Sequence, residues 1–239
     1  MIKAIHFPLH LASHELDDYL ARGWFRMGQT IFTTDFVPVH EKMLPVYWLR
    51  VLVQKVRYGK KQKRLLAVNK NFSVTTKPFK VTDELEELYA LYRASVNFEA
   101  PSSVESFLLD GTGDTFKSVY DTRVIELRDA GQLIAAGIFD KGDTSIAGIM
   151  NFYNPSYKTK SLGKYLMLLK INYAIESGKL YYYPGYIVGG FPKFDYKLFP
   201  DPDATEFYDS NREEWISYAG ASLPIAANLN MKNDFAGEA

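Results

Sequence analysis

The sequence predicts a mixed α+β fold for this chain of 239 residues. Three strand-like runs with short glycine-containing connections lie between residues 122 and 153, as in an antiparallel meander. Segments with apolar residues at helical spacing come before and after them, and the longest covers residues 161–177. The chain is long enough to bury a substantial core without cross-links. It contains no cysteine, which excludes disulfides, thiol nucleophiles and thiolate metal ligands.

In the first part of the chain, the patterns predict short helices around a pair of strands. A helix ends at Gly23, and strands follow at 24–37 and 46–56, joined by a loop at 38–45 with proline at both ends. A second helix is predicted from about Lys60 to Asn71. Residues 72–79 contain Pro78 and are predicted to form a connector.

The second part begins with two predicted helices. Thr82 is the expected N-cap of the first, whose first turn is rich in acids. Ser102 or Ser103 is the expected cap of the second, with Glu105 completing a capping box. The meander, the long helix and a tyrosine-rich strand at 180–188 follow. We therefore divide the chain into a smaller, β-rich subdomain at 1–80 and a larger domain at 81–239.

Charge is unevenly distributed, although Lys+Arg and Asp+Glu are both 28. Eleven Lys or Arg and no Asp or Glu lie between residues 42 and 82. The densest part opens the predicted second helix with Lys60, Lys61, Lys63 and Arg64. A run of this kind is either a solvated face or a phosphate-contacting surface. The absence of interleaved acids and the flanking aromatic residues favour the second interpretation.

The order ααβββαβ in the second part resembles the N-acetyltransferase-like (GNAT) fold. In that fold, the helix after the central strands points its N-terminus at the phosphates of a ligand. The corresponding turn here contains Ser161 and Gly163, flanked by Lys158, Lys160 and Lys164. It has a single glycine where acetyl-CoA enzymes usually have more, and a capped amphipathic helix is the alternative interpretation.

A more specific resemblance covers roughly residues 19–200. Four motifs in this order resemble the arginyl- and leucyl-tRNA–protein transferases of the N-degron pathway. They are Phe152-Tyr153-Asn154-Pro155, Ser161-Leu162-Gly163, Tyr183-Pro184-Gly185-Tyr186-Ile187, and Lys193-Phe194-Asp195-Tyr196-Lys197 before Phe199-Pro200. The basic run 59–64 also has a counterpart in that family. One departure is large, because the family carries clustered cysteines in its first half and this chain has none.

The resemblance implies transfer of arginine or leucine from charged tRNA to the N-terminal amine of an acceptor protein, usually one that begins with Asp or Glu, as a mark for degradation. The implied partners are aminoacyl-tRNA and protein or peptide N-termini, with no cofactor. The N-terminal stretch lacks a long apolar run, so no membrane anchor and a cytoplasmic location are expected.

In the family the clustered cysteines are proposed to hold metal or an iron–sulfur centre. His6, His10, His14 and His40 could suggest a replacement site, and the first three are four residues apart, which would align them on a helix. Pro8 argues against a regular helix there, so we do not expect a metal site. We expect ordinary packing, including Tyr47 and Trp48, to take the place of metal.

Site residues follow from the resemblance and from the chemistry. Asp140 could orient the incoming ammonium, or it is a turn residue. Tyr153, Tyr183 and Tyr186 could line an aminoacyl-adenosine pocket by stacking, or they are core residues. Ser161, Gly163 and Lys164 would meet the terminal ribose-phosphate, and Gly185 would give backbone access beside the ester. Lys193 and Lys197, four apart, would share a helix face and meet phosphate or an acidic N-terminus, or they are a solvated pair. With no histidine beyond residue 40, carboxylates and tyrosines are the remaining titratable candidates near these motifs.

Two other functions fit the same residues. A CoA-dependent N-acyltransferase would bind acetyl-CoA at the turn Ser161–Lys164 and would be indifferent to tRNA. A catalytically inactive binding relative is the other alternative, because the cysteines are missing and Pro184 stands where the family usually has leucine.

Overall fold

The computed structural model describes residues 2–40, 42–109 and 118–219, together with the backbone of 229–230. The described helices are α1 (Ser13–Ala21), α2 (Lys60–Val68), α3 (Asp83–Ser95), α4 (Val104–Leu109) and α5 (Leu162–Glu176). The described strands are β1 (Ala4–His6), β2 (Phe25–Met27), β3 (Thr30–Thr33), β4 (Phe36–Val39), β5 (Lys42–Leu52), β6 (Ser73–Pro78), β7 (Thr122–Asp129), β8 (Gln132–Lys141), β9 (Ser145–Tyr153), β10 (Tyr181–Val188), β11 (Thr205–Asp209), β12 (Glu214–Ser217) and β13 (Leu229–Asn230). The predicted mixed α+β class is confirmed.

One large sheet organises the molecule. Its strands run in the order β12-β11-β5-β10-β9-β8-β7-β6, with β4 and β13 also paired to β5, and β1-β3-β2 form a separate small sheet. Strands β5 and β6 come from the first 80 residues but bond into the same sheet as β7–β10. The division near residue 80 stays a prediction.

Helices cover both faces of the large sheet. On one face, α5 buries Leu162, Leu166 and Ile171 against Ile125 and Phe139 of the strands. On the other face, α3 and α4 pack a second buried cluster against β7, β8 and β9. The element order implied by the GNAT-like resemblance, α3-α4-β7-β8-β9-α5-β10, is present. No helix in the described ranges is long and apolar enough to cross a membrane.

Three predictions for the connections were wrong. The predicted strand 24–37 is divided among β2, β3 and the start of β4. The chain turns between β2 and β3 at Gly28, where φ is +60°. The predicted loop 38–45 instead belongs to a hairpin in which β4 pairs with the start of β5. The predicted connector 72–79 contains strand β6, which lies at the sheet edge with Pro78 at its end. All six residues of β6 are exposed, so the strand lacks the alternating apolar pattern that would have revealed it.

The predicted helix caps were partly right. The Thr82 hydroxyl accepts a hydrogen bond from the Leu85 amide, as expected. At α4 the Ser103 hydroxyl accepts from the Ser106 amide, and the Ser106 hydroxyl accepts from the Ser103 amide. The capping box therefore uses Ser106, and the prediction for Glu105 was wrong. The Glu86 carboxylate of α3 accepts from the first two amides of α4.

Candidate active site

A gap opens in the large sheet where β9 and β10 diverge. These strands are parallel, connected through α5, and they pair only at 181–183 with 145–147. Beyond that point β9 stays bonded to β8 as far as Tyr153, while β10 stays bonded to β5 as far as Val188. Because ligands bind at the carboxyl ends of parallel strands where neighbours separate, this gap is the candidate site.

Irregularities in both strands produce the divergence. In β9, Ile149 is an extra residue, since Phe139 pairs with Gly148 and Ile138 pairs with Met150. The Lys170 ammonium of α5 donates to the carbonyls of Ile138 (2.7 Å) and Met150 (3.1 Å) at this bulge. In β10 the pairing with β5 shifts between Tyr182 and Gly185. The bulges thus turn the two strands away from each other at the same level.

At the point of divergence, the Tyr182 hydroxyl lies against Gly148. A Cβ atom at Gly148 would approach that hydroxyl to 2.7 Å, so a larger residue there would displace the ring. Tyr182 is 2% exposed, and burial raises the pKa of its hydroxyl. Tyr182 therefore stays a neutral phenol at the bottom of the gap.

The wall on the β9 side is aromatic. The predicted residue Tyr153 is partly exposed, and its ring centroid lies 5.4 Å from that of Tyr92 on α3. Burial raises the pKa of Tyr92 to about 12, helped by the neighbouring Tyr153 and Tyr196. The Asn151 amide of β9 donates to the Gly163 carbonyl (3.4 Å), which joins this wall to α5.

The wall on the β10 side contains Gly185, Tyr186 and Lys197. Gly185 has a φ of +93°, a region that favours glycine. After β10 the chain turns back through the 3₁₀ segment Pro192–Leu198, whose Phe194 ring lies 5.6 Å from that of Tyr186. The Lys197 ammonium donates to the Tyr186 carbonyl (2.7 Å). The predicted residues Tyr186, Gly185 and Lys197 are thus in contact.

The predicted helix-opening turn lies beside this gap. Ser161 has φ +50° and ψ +45°, a left-handed conformation that is uncommon outside glycine and is found at functional turns. Within this turn the left-handed residue is Ser161, and Gly163 does not have a positive φ. A Cβ atom at Gly163 would lie 3.5 Å from the Tyr153 ring, an ordinary contact. A side chain at position 163 would therefore pack against the Tyr153 ring.

Helix α2 places its basic residues next to this turn. Lys60, Lys61, Lys63 and Arg64 are all exposed, and within the described ranges none forms an ion pair. The Gln62 amide of α2 donates to the Phe199 carbonyl, and the Lys164 ammonium lies 4.9 Å from the Phe199 ring centroid. The Asn69 amide, just after α2, donates to the Lys160 carbonyl. The α2 cations and those around Ser161 therefore belong to one basic surface.

Two predicted residues lie away from the gap. Tyr183 is 3% exposed and packs among Leu16, Leu20 and Ile31, so its side chain belongs to a core cluster. Asp140 is fully buried, and its carboxylate accepts from Arg26 of β2 (2.8 Å) and from the Thr122 hydroxyl (2.7 Å).

Burial raises the pKa of the Asp140 carboxyl, while Arg26 and Thr122 oppose that shift. Both hydrogen bonds go to Oδ1, while Oδ2 is buried without a hydrogen-bond partner in the described part of the chain. The carboxylate thus contacts the protein, and its role toward the substrate stays a prediction.

Lys193 and Lys197 do not share a face. The segment that carries them is a 3₁₀ helix with about three residues per turn, so positions four apart point in different directions. Lys193 is exposed, with its ammonium 4.6 Å from the Phe98 ring centroid, whereas Lys197 points inward.

Among the residues of the gap, Tyr92, Asn151 and Tyr196 were not named as site residues from the sequence. Tyr92 and Asn151 lie on a helix and a strand whose apolar periodicity assigned them to packing. Tyr196 lies in the same motif as Lys193 and Lys197. The clustering of aromatic residues with lysine in that motif could have indicated that Tyr196 belongs to the site.

The described residues contain no group of three or more His, Asp or Glu side chains that could hold a metal ion. The His6 ring stacks on Tyr19 (5.7 Å between centroids). His6 lies in β1 and His14 in α1, so the spacing of the histidines does not bring them onto one face. The expectation of a metal-free protein stays a prediction.

Comparisons with known proteins agree with the motifs. Residues 84–203, half of the chain, match the family model described as "Arginine-tRNA-protein transferase, C terminus". The aspartate/glutamate leucyltransferase of Leptospira interrogans is 25% identical over 217 residues, covering 90% of this chain and 83% of that protein. The protein of the same name from Shewanella amazonensis is 33% identical over 159 residues, 62% of each chain.

Among solved structures, L-PGS from Bacillus licheniformis has a TM-score of 0.41 and 12% identity, and the match covers 75% of this chain and 51% of that one. The resemblance inferred from the motifs is confirmed by the family match. The chain belongs to the arginine-tRNA-protein transferase family, and it is an aminoacyltransferase that acts between aminoacyl-tRNA and protein.

Proposed function

We propose that the chain transfers leucine from leucyl-tRNA to proteins whose first residue is Asp or Glu. The names of the relatives, aspartate/glutamate leucyltransferase, support leucine over arginine and support acidic acceptors. Marking such proteins for degradation, and a cytoplasmic location, stay predictions that go with this proposal.

The observation that carries the proposal is the position of the open gap beside a basic surface. The α2 cations and Lys164 supply exposed positive charge for the tRNA backbone, where affinity comes mainly from phosphate contacts. The Lys164 and Tyr165 amides donate to the Ser161 carbonyl, and the amides of Leu162 and Gly163 come before these first intrahelical bonds. Amides in that position favour an anion. We place the terminal nucleotide at Ser161–Lys164 and the aminoacyl group in the gap between Tyr153 and Tyr186.

The reaction needs little from the protein beyond positioning. The acceptor's α-amine attacks the ester carbonyl carbon, an amide bond forms, the ester bond breaks, and the terminal ribose hydroxyl of the tRNA leaves with a proton. An α-amine has a pKa of about 8, so a useful fraction is already neutral at physiological pH. Burial raises the pKa of Tyr92, Tyr182 and Tyr186, so these phenols serve as hydrogen-bond donors, not bases. Such donors stabilise the developing oxyanion.

The test is a transfer assay with defined partners. The purified protein is incubated with single charged tRNAs, leucyl and arginyl first, and with peptides that differ only in their first residue: Asp, Glu, Asn, Gln or Ala. Mass spectrometry then reads the added amino acid. We expect leucine on the Asp and Glu peptides.

Arginine on the same peptides would overturn the choice of amino acid. Acetyl-CoA with the same peptides is the matched control, and acetylation without any aminoacyl transfer would favour the CoA-dependent alternative. No modification with a full set of tRNAs would favour an inactive relative.

A further inference from the structure

Lys197 has an unusual environment in the β10 wall. Its ammonium lies over three aromatic rings, with centroids at 4.8 Å for Tyr186, 5.1 Å for Phe194 and 6.0 Å for Tyr196. It also lies 3.3 Å from the place where a Cβ atom of Gly185 would be. The side chain therefore reaches across the bare backbone of Gly185 into an aromatic cage at the gap.

This cation has no acidic partner in the described part of the chain. Its one hydrogen bond there is to the Tyr186 carbonyl, which uses one of three donors. Ion pairs elsewhere in the described ranges involve other lysines and arginines. Burial alone lowers the pKa of Lys197 to about 7, with no contribution from a neighbouring carboxylate. Lys197 is half-buried, and its ammonium is enclosed by aromatic rings. Charges withdrawn from solvent are normally paired, so an enclosed ammonium with free donors indicates an anion that arrives with a ligand.

We propose that Lys197 binds the side-chain carboxylate of the acceptor's first residue and sets the preference for Asp or Glu. This rests on the proposed function, because it requires a protein N-terminus in the gap. The remaining ammonium donors would bind the carboxylate oxygens in a partly dry cage, where a charge-assisted hydrogen bond is strong. An amide in the same place would offer one oxygen without charge, so Asn and Gln acceptors bind poorly.

The neighbouring Lys193 supplies the contrast. It belongs to the same 3₁₀ segment and carries the same charge, but it is exposed. A cation in solvent distinguishes carboxylate from amide weakly, because water screens it. Exposed cations such as Lys193 can contact the phosphates of the tRNA more readily than the inward-pointing Lys197 can.

The experiment measures acceptor binding without tRNA. Fluorescence anisotropy is recorded for labelled peptides that begin with Asp or Asn, using the wild type, Lys197→Met and the control Lys193→Met, each with its melting curve. We expect the wild type to prefer the Asp peptide by roughly 10- to 100-fold, the range of a hydrogen bond to a charged group. Lys197→Met should bind both peptides equally weakly, and Lys193→Met should resemble the wild type.

Two outcomes would overturn the proposal. One is equal binding of Asp and Asn peptides by the wild type, which needs no variant and so does not depend on how Lys197→Met folds. The other is an unchanged Asp preference in Lys197→Met with weakened tRNA binding, which would make Lys197 a phosphate contact. If Asp preference depends on Lys197 but no tRNA supports transfer, the proposed function fails and this inference stands.

Discussion

Replacing Asp140 by Asn should destabilise the protein without directly removing a substrate contact. The Arg26 side chain is 2% exposed and that of Asp140 is fully buried, with 2.8 Å between Nη1 and Oδ1. Arg26 also donates to the carbonyls of Gly28 and Leu108 and lies 4.3 Å from the Tyr120 ring centroid. The substitution would keep the shape of the side chain but leave a buried guanidinium without its counter-ion.

The expected decrease in the free energy of unfolding can be estimated. Removing one partner of a buried ion pair typically costs about 3–5 kcal/mol. In a chain of this length each kcal/mol lowers the melting temperature by about 2–4 °C, so Asp140→Asn should melt roughly 6–20 °C lower. Differential scanning calorimetry measures the shift, and a transfer assay run well below the transition should show activity in proportion to the folded fraction.

A matched control and a double variant complete this test. Asp18→Asn changes an exposed carboxylate that forms no ion pair in the described ranges, and it should leave the melting temperature nearly unchanged. The double variant Arg26→Met, Asp140→Leu should be less destabilised than the sum of its single variants, because apolar replacement removes both buried charges. An Asp140→Asn protein with normal melting and no transfer would show that the carboxylate faces the substrate after all.

Three further predictions test the basic surface, the turn and the buried lysine. Replacing Lys60, Lys61, Lys63 and Arg64 by Gln should weaken tRNA binding and lower its log–log salt slope by roughly 0.9 per lost phosphate contact; a slope equal to the wild type's would place the tRNA elsewhere. Gly163→Val should reduce transfer with little change in melting, because φ is not left-handed there and a Cβ atom would meet the Tyr153 ring at an ordinary contact distance of 3.5 Å. The buried Leu166→Ala should instead lose about 2–5 kcal/mol of stability and keep transfer in the folded fraction. Burial lowers the pKa of Lys170 to about 7, so the unfolded chain binds the extra proton between about pH 7 and 10. Lys170 should therefore make the unfolding free energy rise with pH in that window by up to about 1.4 kcal/mol per unit, in addition to a similar contribution from Lys197. Denaturant titrations of Lys170→Met should lack the Lys170 contribution.

Local elements could be predicted where one face of an element is apolar and the other is not. The meander and α5 have strong periodicity, and they were predicted nearly to their observed bounds. Strand β6 could not be found this way, since both of its faces are exposed and only its hydrogen bonds to β7 define it. The turn at Gly28 and the hairpin at His40 depend on backbone conformations with positive φ, for which the sequence offered only weak signals.

Several of the site residues predicted from motifs lie together in the structure, and their catalytic and binding roles stay predictions. Five residues that the motifs predicted to belong to the site lie around one gap: Tyr153, Gly163, Gly185, Tyr186 and Lys197. Tyr183 and Asp140 were also predicted to belong to the site. The alternation of residues along a strand does not show which element covers each face of that strand, so the surroundings of these two side chains could not be predicted. Tyr183 faces the core built by α1 and β3, and Asp140 meets an arginine 114 positions away in sequence. Such long-range partners are set by topology.

The aromatic packing that was expected in place of metal also positions the gap. Trp48 of β5 is 5% exposed, its ring lies 5.5 Å from Phe25 and 5.7 Å from Phe32, and its indole N–H donates to the Thr34 carbonyl. The Tyr186 ring packs edge-on against Trp48 at 5.1 Å. Tyr186 is in turn one ring of the cage around Lys197. Rigid aromatic contacts thus run from the N-terminal strands to the β10 wall, and they fix the ring beside which the acceptor is proposed to bind. A cysteine-free first half is therefore compatible with a well-ordered site, because stacked and edge-to-face ring contacts contribute about 0.5–1.5 kcal/mol each beyond the area that they bury.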